Sequence, residues 1–195
     1  MRRDLLSSLL AVLVLTIALG LVYPLAITGI SQVLFPGAAD GSQVKLDGKV
    51  VGSKLIGQEF KGKVFFHSRP SATGYSGDVT FFGNAGPNSA ELRDAIRANL
   101  GAYLKLERPY DRRLTRDAVP VDAVTESASG VDPHISEANA RIQAHRVAAV
   151  RGLPLDRVEA LVADHTDGRS LGLFGEPGVN VLQLNVALEE EAPLR

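Results

Sequence analysis

Hydrophobic and polar positions divide the 195-residue chain into an apolar head and a patterned remainder. Residues 5–23 read LLSSLLAVLVLTIALGLVY, almost wholly apolar, and no charged residue occurs from residue 5 through residue 39. A helix rising 1.5 Å per residue needs about 20 such residues to cross ~30 Å of hydrocarbon. The pattern predicts a single transmembrane helix over about residues 5–25, within an anchor of residues 1–35. Pro24 is expected to kink or end that helix, and Tyr23 suits an interfacial aromatic position. A cleaved signal peptide is the competing reading, with Arg2 and Arg3 ahead of an apolar stretch at 9–19. It lacks a small-x-small cleavage pair directly after the apolar run.

Beyond the head, glycine and proline cluster over residues 36–90. Short β-type runs at 44–46, 50–51 and 64–67 predict strands joined by tight turns. The period changes at Asn88. Asn88 and Glu91 have capping-box spacing, and Leu92, Ala95, Ile96, Leu100 and Tyr103 recur at helical intervals, predicting a helix over 89–105. After the charged turn ERPYDRRLTRD (107–117), an apolar stretch at 119–124 reads as a strand, followed by the polar loop TESASGVDPH (125–134). Ser136 is placed to cap a second helix, 137–151, presenting Ile142, Val147 and Val150 to a core. Pro154 opens a third, 155–165. The tail VNVLQLNVAL (179–188) fits both a period of two and a helical face, which leaves its type open. Strands mixed with segregated helices make residues 36–195 one α+β domain.

Composition narrows the classes. With 45% hydrophobic residues the chain is not disordered, and 21 Lys+Arg against 22 Asp+Glu, without a basic stripe, argue against a nucleic-acid binder. The absence of cysteine removes disulfides, a cysteine nucleophile and thiolate metal sites. Charge also predicts orientation. Arg2 and Arg3 precede the span and the next basic residue is Lys45, so the N-terminus is expected in the cytoplasm and the domain outside it.

No catalytic motif is complete. GSKLIG (52–57) has the glycine spacing of a phosphate loop, but Gln58 and Glu59 stand where Lys and Ser/Thr are needed, and an acidic residue there repels phosphate. ESASG (126–130) lacks the first glycine of a nucleophile elbow. Ser127 or Ser129 with Asp132 and His134 would make a triad only if residues of one loop reached the required geometry. The four histidines, His67, His134, His145 and His165, have no metal-ligand spacing. Arg69 and Arg146 are candidates for an anion or a partner carboxylate. Arg108, Arg112, Arg113 and Arg116, interleaved with Glu107, Asp111 and Asp117, read as a solvated loop. From these residues alone, the chain is a membrane-tethered domain without an evident catalytic site.

Five separate motifs, in order, carry a resemblance. GSKLIGQEF (52–60), FFHSRPSA (65–72), PVDAVTESASGVDPHIS (120–136), the Gln143 and Arg146 spacing, and GEPGVNVLQLNVAL (175–188) resemble the C subunit of the Kdp potassium-transporting ATPase, KdpC. With the N-terminal span the resemblance covers nearly the whole chain. Two departures stand out: FFGNAGPNS (81–89) replaces a SGGSNLGPSN-like run, and Gly178 stands where an arginine is frequent.

The resemblance implies a non-catalytic, single-pass subunit of an ATP-driven, high-affinity K⁺ uptake complex in the bacterial inner membrane. Its implied partners are a channel-like K⁺-binding subunit, a P-type subunit that hydrolyses ATP, and a small membrane subunit. The chain has no Asp-Lys-Thr-Gly phosphorylation motif, so ATP, Mg²⁺ and K⁺ are expected to be handled by those partners, with no cofactor of its own. The family is credited with a chaperone-like role that raises ATP affinity. The expected partner contacts are three loops and two helix positions: Arg69, Pro70 and Ser71; Ser127, Ser129, Gly130, Asp132 and His134; Glu176 and Asn180; and Gln143 and Arg146. The alternative class is a stand-alone membrane-anchored binding or hydrolytic domain.

Overall fold

The apolar head folds as one long helix. In the computed structural model, which describes residues 1–79 and 83–194, the chain separates into two units, Met1–Gln43 and Val44–Arg195. In the first, α1 (Arg2–Ile17) passes through a π turn (Ala18–Val22) into α2 (Tyr23–Leu34). The 33 residues of Arg2–Leu34 are long and apolar enough to cross a membrane. The expected end near Pro24 is not found. Proline lacks an N–H and its ring crowds the carbonyl four residues back. Here the turn just before Pro24 widens into the π form, which takes up that mismatch without ending the helix. The helix stops instead at Phe35, whose φ of −139° is non-helical because Pro36 follows it. A single turn, α3 (Pro36–Ala39), comes next, and no residue of these helices is buried.

The second unit mixes helices and small sheets. β1 (Gln43–Leu46) and β2 (Lys49–Ser53) pair across Asp47–Gly48, both at positive φ (50° and 76°), the signature of a two-residue hairpin turn. Four helices follow: α4 (Ala90–Glu107), α5 (Glu137–Arg151), α6 (Leu155–Asp164) and α7 (Val181–Glu191). Their starts have visible chemical causes. Ser89 accepts from the Leu92 N–H, Ser136 from Asn139 and Asn180 from Gln183, each satisfying a donor of the first turn. The cap of α4 is therefore Ser89, not Asn88. Gly152, at φ 69°, closes α5 in the left-handed region.

An antiparallel sheet of order β3-β5-β4 joins His134–Ile135 (β3), Thr166–Asp167 (β4) and Gly178–Asn180 (β5). His134 pairs with Asn180, and Asp167 with Gly178. The ambiguous tail thus divides, with a strand to Asn180 and a helix from Val181. The core gathers Phe66, Ile135, Val147, Val158, Val179 and Leu184 with Ala140, Ala144 and Ala148 of α5.

Three sequence expectations fail here for related reasons. Residues 119–124 form no strand; a 3-10 turn (Val121–Ala123) follows Pro120 and directs Asp122 at the start of α5. Its carboxylate accepts from the Ser136 N–H (2.8 Å), the Ser136 hydroxyl (2.7 Å) and the Asn139 amide (3.0 Å). Among the described residues, 64–67 pair with no strand either. The buried face of α5 is the third: Ile142 is half-buried and Val150 exposed, while Asn139, Gln143 and Arg146 lie inside beside Ala140, Ala144 and Val147.

These polar side chains are inside because they serve the irregular segment 63–67. Gln143 accepts from the His67 N–H (2.7 Å) and donates to the His67 carbonyl (3.0 Å). Asn185 on α7 does the same for Phe66, at 2.8 and 2.9 Å. Arg146 donates to the carbonyls of Lys63 (2.6 Å) and Phe65 (2.8 Å), and Arg151 to that of Val64 (2.8 Å). The amides thus replace the neighbouring strand that 64–67 would otherwise need. Gly57 adds a close approach. Its N–H donates to the Val131 carbonyl (2.7 Å), and a Cβ there would lie 2.4 Å from the Asp132 carbonyl oxygen.

Asn185→Ala leaves the buried N–H and C=O of Phe66 unpaired, and a loss of roughly 2–5 kcal/mol is expected from two such groups. Chemical denaturation of the detergent-solubilised chain measures it, and an unchanged midpoint would contradict the role given to Asn185.

Candidate functional site

The three loops marked by the sequence converge on one cleft of about 360 Å³, lined by Arg69, Asp122, Asp132, His134, Asp167 and Glu176 among others. Segment 63–67 delivers Arg69 to its edge, the loop before β3 delivers Asp132 and His134, and the turn before β5 delivers Glu176. Arg69 Nη1 donates to Asp132 Oδ2 at 3.0 Å and its Nη2 to the Glu126 carbonyl at 3.2 Å. Its Nε is the buried side-chain donor left without a partner among the described residues. His134 Nε2 lies 3.0 Å from Asp167 Oδ2, and its Nδ1 lies 3.9 Å from Asp132 Oδ1. Four carboxylates face Arg69 and one imidazole, which makes the cleft acidic and suited to a cationic group.

The remaining candidates divide between supports and interior. Ser71 donates its hydroxyl to the Gly130 carbonyl at 2.6 Å, and the Ser127 N–H donates to the Pro70 carbonyl at 3.2 Å, so the loop at 69–72 and the loop at 127–130 are tied together. Ser127 is buried; Ser129 is exposed and accepts from the Val131 N–H. Neither bonds to His134, whose ring faces carboxylates, so the imagined triad is not assembled. Gln143, Arg146 and Asn180 are 2%, 0% and 2% exposed. Their polar atoms bond within the chain, that of Asn180 to the Lys54 carbonyl at 2.8 Å. Arg146 finds its carboxylate in Glu107, at 2.9 and 3.1 Å from Nε. Burial holds the Glu107 carboxyl above the usual range even with that guanidinium beside it.

Gly178 lies against His134: a Cβ at 178 would sit 3.2 Å from His134 Cβ, so the glycine gives the ring room. Of the divergent segment 81–89, residues 81 and 82 lie outside the described residues, and 83–88 are exposed. The phosphate-loop spacing of GSKLIG spans the end of β2 and a turn with no helix after it. Phe60 beyond it is half-buried against the core.

A second cavity of about 400 Å³ lies between segment 59–75, α4 and α5, walled by Glu59, His67, Tyr75, Asn99, Tyr103 and Asn139 among others. Burial, with Glu59 nearby, pushes the Tyr75 hydroxyl up to about 12. The Tyr103 hydroxyl donates to Asn139 Oδ1 at 2.8 Å and is also shifted upward by burial. Burial and then Arg146 lower the His67 pKa, and its Nε2 lies 2.7 Å from the Gly62 carbonyl. Asp122 and Asp167 were missed from sequence. They stand 14 and 33 residues from the groups they meet, and no spacing rule joins them.

With that geometry in view, comparison with known proteins is decisive. The family model described as "KdpC: K+-transporting ATPase, c chain" matches residues 5–190. The chain belongs to the KdpC family. Three proteins named "Potassium-transporting ATPase KdpC subunit" illustrate the likeness. That of Kineococcus radiotolerans is 51% identical over 96% of this chain and 93% of its own length. That of Mycobacterium bovis (strain BCG / Pasteur 1173P2) is 46% identical over 97% and 99%. That of Koribacter versatilis is 43% identical over 100% and 98%. The chain is accordingly an accessory subunit of the Kdp complex, with other Kdp subunits as its partners and an N-terminal helix able to anchor it in a membrane.

The His67 shift predicts a pH dependence. A pKa lowered from 6.5 in the folded state means that the unfolded chain binds the proton more readily, so this contribution to stability is present above pH 6.5 and lost as pH falls through the folded value. His67→Gln should flatten the decline in denaturation midpoint below pH 6.5, and an unaltered slope would refute the assignment.

Proposed function

We propose that this chain is a non-catalytic, single-pass subunit of the bacterial inner membrane whose folded domain lies outside the cytoplasm. There it docks on the channel-like, K⁺-binding subunit. The observation that carries this reading is the charge asymmetry of the long apolar helix, with Arg2 and Arg3 at its start and no further Lys or Arg before Lys45. Cationic flanks stay cytoplasmic. On this reading the domain and ATP are on opposite sides of the bilayer.

An effect on ATP affinity then acts through conformational linkage. A domain that binds one conformation of the pump better than another shifts the equilibrium, and the ATP-hydrolysing subunit gains affinity by the same coupling. Couplings of this kind are typically about 1–3 kcal/mol, or 5–150-fold in affinity. ATP, Mg²⁺ and K⁺ are handled by the partner subunits, among them a small membrane subunit. The acidic cleft around Asp132, His134 and Asp167 and its bordering loops are the surface offered to a partner, polar loops on a fixed scaffold being the usual contact elements.

The lack of native cysteine makes orientation directly measurable. Glu159→Cys, at an exposed position of α6, should react with a membrane-impermeant maleimide in intact cells, and Asp4→Cys, ahead of the span, only after permeabilisation. The reverse pattern would overturn the topology. Calorimetry of the solubilised chain with Mg-ATP should give no binding heat, and micromolar affinity would replace linkage with direct nucleotide contact.

A further inference from the structure

The turn between β4 and β5 gathers three exposed large apolar side chains within four residues. Leu171, Leu173 and Phe174 are 91%, 71% and 62% exposed. The turn is nonetheless built to a fixed shape. Ser170 and Phe174 exchange backbone hydrogen bonds at 2.8 and 2.9 Å, and Arg169 Nη2 donates to both Glu176 carboxylate oxygens at 2.9 and 2.8 Å. Gly172 and Gly175 have φ of 73° and 83°, and Leu171 itself sits at φ 54°, where a bulky residue is rarely held. A turn of this shape is closed by its backbone bonds and by the Arg169–Glu176 clamp. Polar residues would serve it equally well at the tip, so the apolar ones answer to something outside the domain.

We propose that this tip is the plug by which the domain docks on another Kdp subunit, entering an apolar recess with a basic rim. This deepens the proposed partner-docking role and rests on it. The charges around the tip select that occupant. Asp167 and Glu176 flank it with side chains 72% and 81% exposed, and the acidic cleft begins at the same residues. Arg169, the basic residue between them, is held by Glu176. Loops that enter lipid combine apolar residues with free lysine, arginine or interfacial aromatic residues to suit anionic headgroups. With Arg169 and Glu176 offsetting each other, the exposed Asp167 carboxylate leaves the flank acidic, which opposes that surface and favours cationic side chains on a protein. A turn already fixed in shape loses little freedom on entering a preformed recess.

The test uses the full chain co-expressed with the other Kdp subunits. p-Benzoylphenylalanine at position 174 should, on irradiation, give an adduct containing a peptide of another Kdp subunit, while the same residue at position 159 gives none. Adducts to lipid alone, or no adduct in a complex that contains the other subunits, overturn the proposal. The doubly substituted L173S/F174S chain should unfold at the same temperature as the parent, because both side chains are exposed. It should retain the other subunits about fivefold less well or worse, the least expected for losing an anchoring contact. Undiminished retention refutes docking through the tip. Failure of the parent chain to retain them would strike at the subunit reading instead.

Discussion

A buried backbone without a neighbouring strand is the constraint on which the second unit depends. Segment 63–67 enters the core at Phe66, which is fully enclosed, yet among the described residues no strand pairs with it. Each enclosed N–H and C=O left unpaired costs about 1–3 kcal/mol, so the fold exists only if side chains take that place. Asn139, Gln143 and Arg146 stand at i, i+4 and i+7 on one face of α5, and they form a continuous chain of bonds from Asp122 to Glu107. A partly satisfied network of this kind is worse than an apolar core, and a fully satisfied one specifies a single arrangement. This one is satisfied throughout: Gln143 Oε1 accepts from both His67 and Arg146, and its amide donates to both His67 and Asn139.

The same network explains what was legible in the sequence. Helices were readable because periodicity and caps are local, so α5 begins after Ser136 as predicted and α6 directly after Pro154. The inward face of α5 was not readable from hydrophobicity, since its interior partners are polar and its apolar contribution comes largely from alanines. Residues 64–67 have the composition of a strand, but the partners of their backbone at Phe66 and His67 are Asn185 and Gln143, 119 and 76 residues away. Pro24 misled for the converse reason: a local rule is correct, and a π turn absorbs its consequence.

The site was legible through motifs and not through chemistry. Loops at 69–72, 127–134 and 176–180 were grouped by resemblance, and three of their side chains, Arg69, Asp132 and His134, meet within hydrogen-bonding or ion-pair range. Motif spacing did not separate residues that face outward from those that hold the loops in place. Gln143 and Arg146 look like candidates because arginine and glutamine recur in binding sites, but full burial assigns them to the chain's own backbone. The exposed apolar tip at 171–174 lies just before one of the motifs, in a stretch to which the sequence pattern assigned no element.

These features suit the accessory subunit that the family membership gives. A catalyst needs groups whose proton affinities are matched to a reaction and aimed at a common point. In this chain the groups Glu107, Tyr103 and Tyr75 are shifted upward mainly by burial, and the bonds that Glu107 and Tyr103 make lie inside the network that supports segment 63–67. The outward-facing groups form a charged cleft beside a rigid apolar turn, a pairing that recognises a surface. Differential affinity for two states of a partner requires that the binding face keep its shape while the partner changes. The polar network provides that rigidity, because moving Arg69 or Pro70 relative to α5 and α7 would break the bonds of Gln143 to His67 and of Asn185 to Phe66.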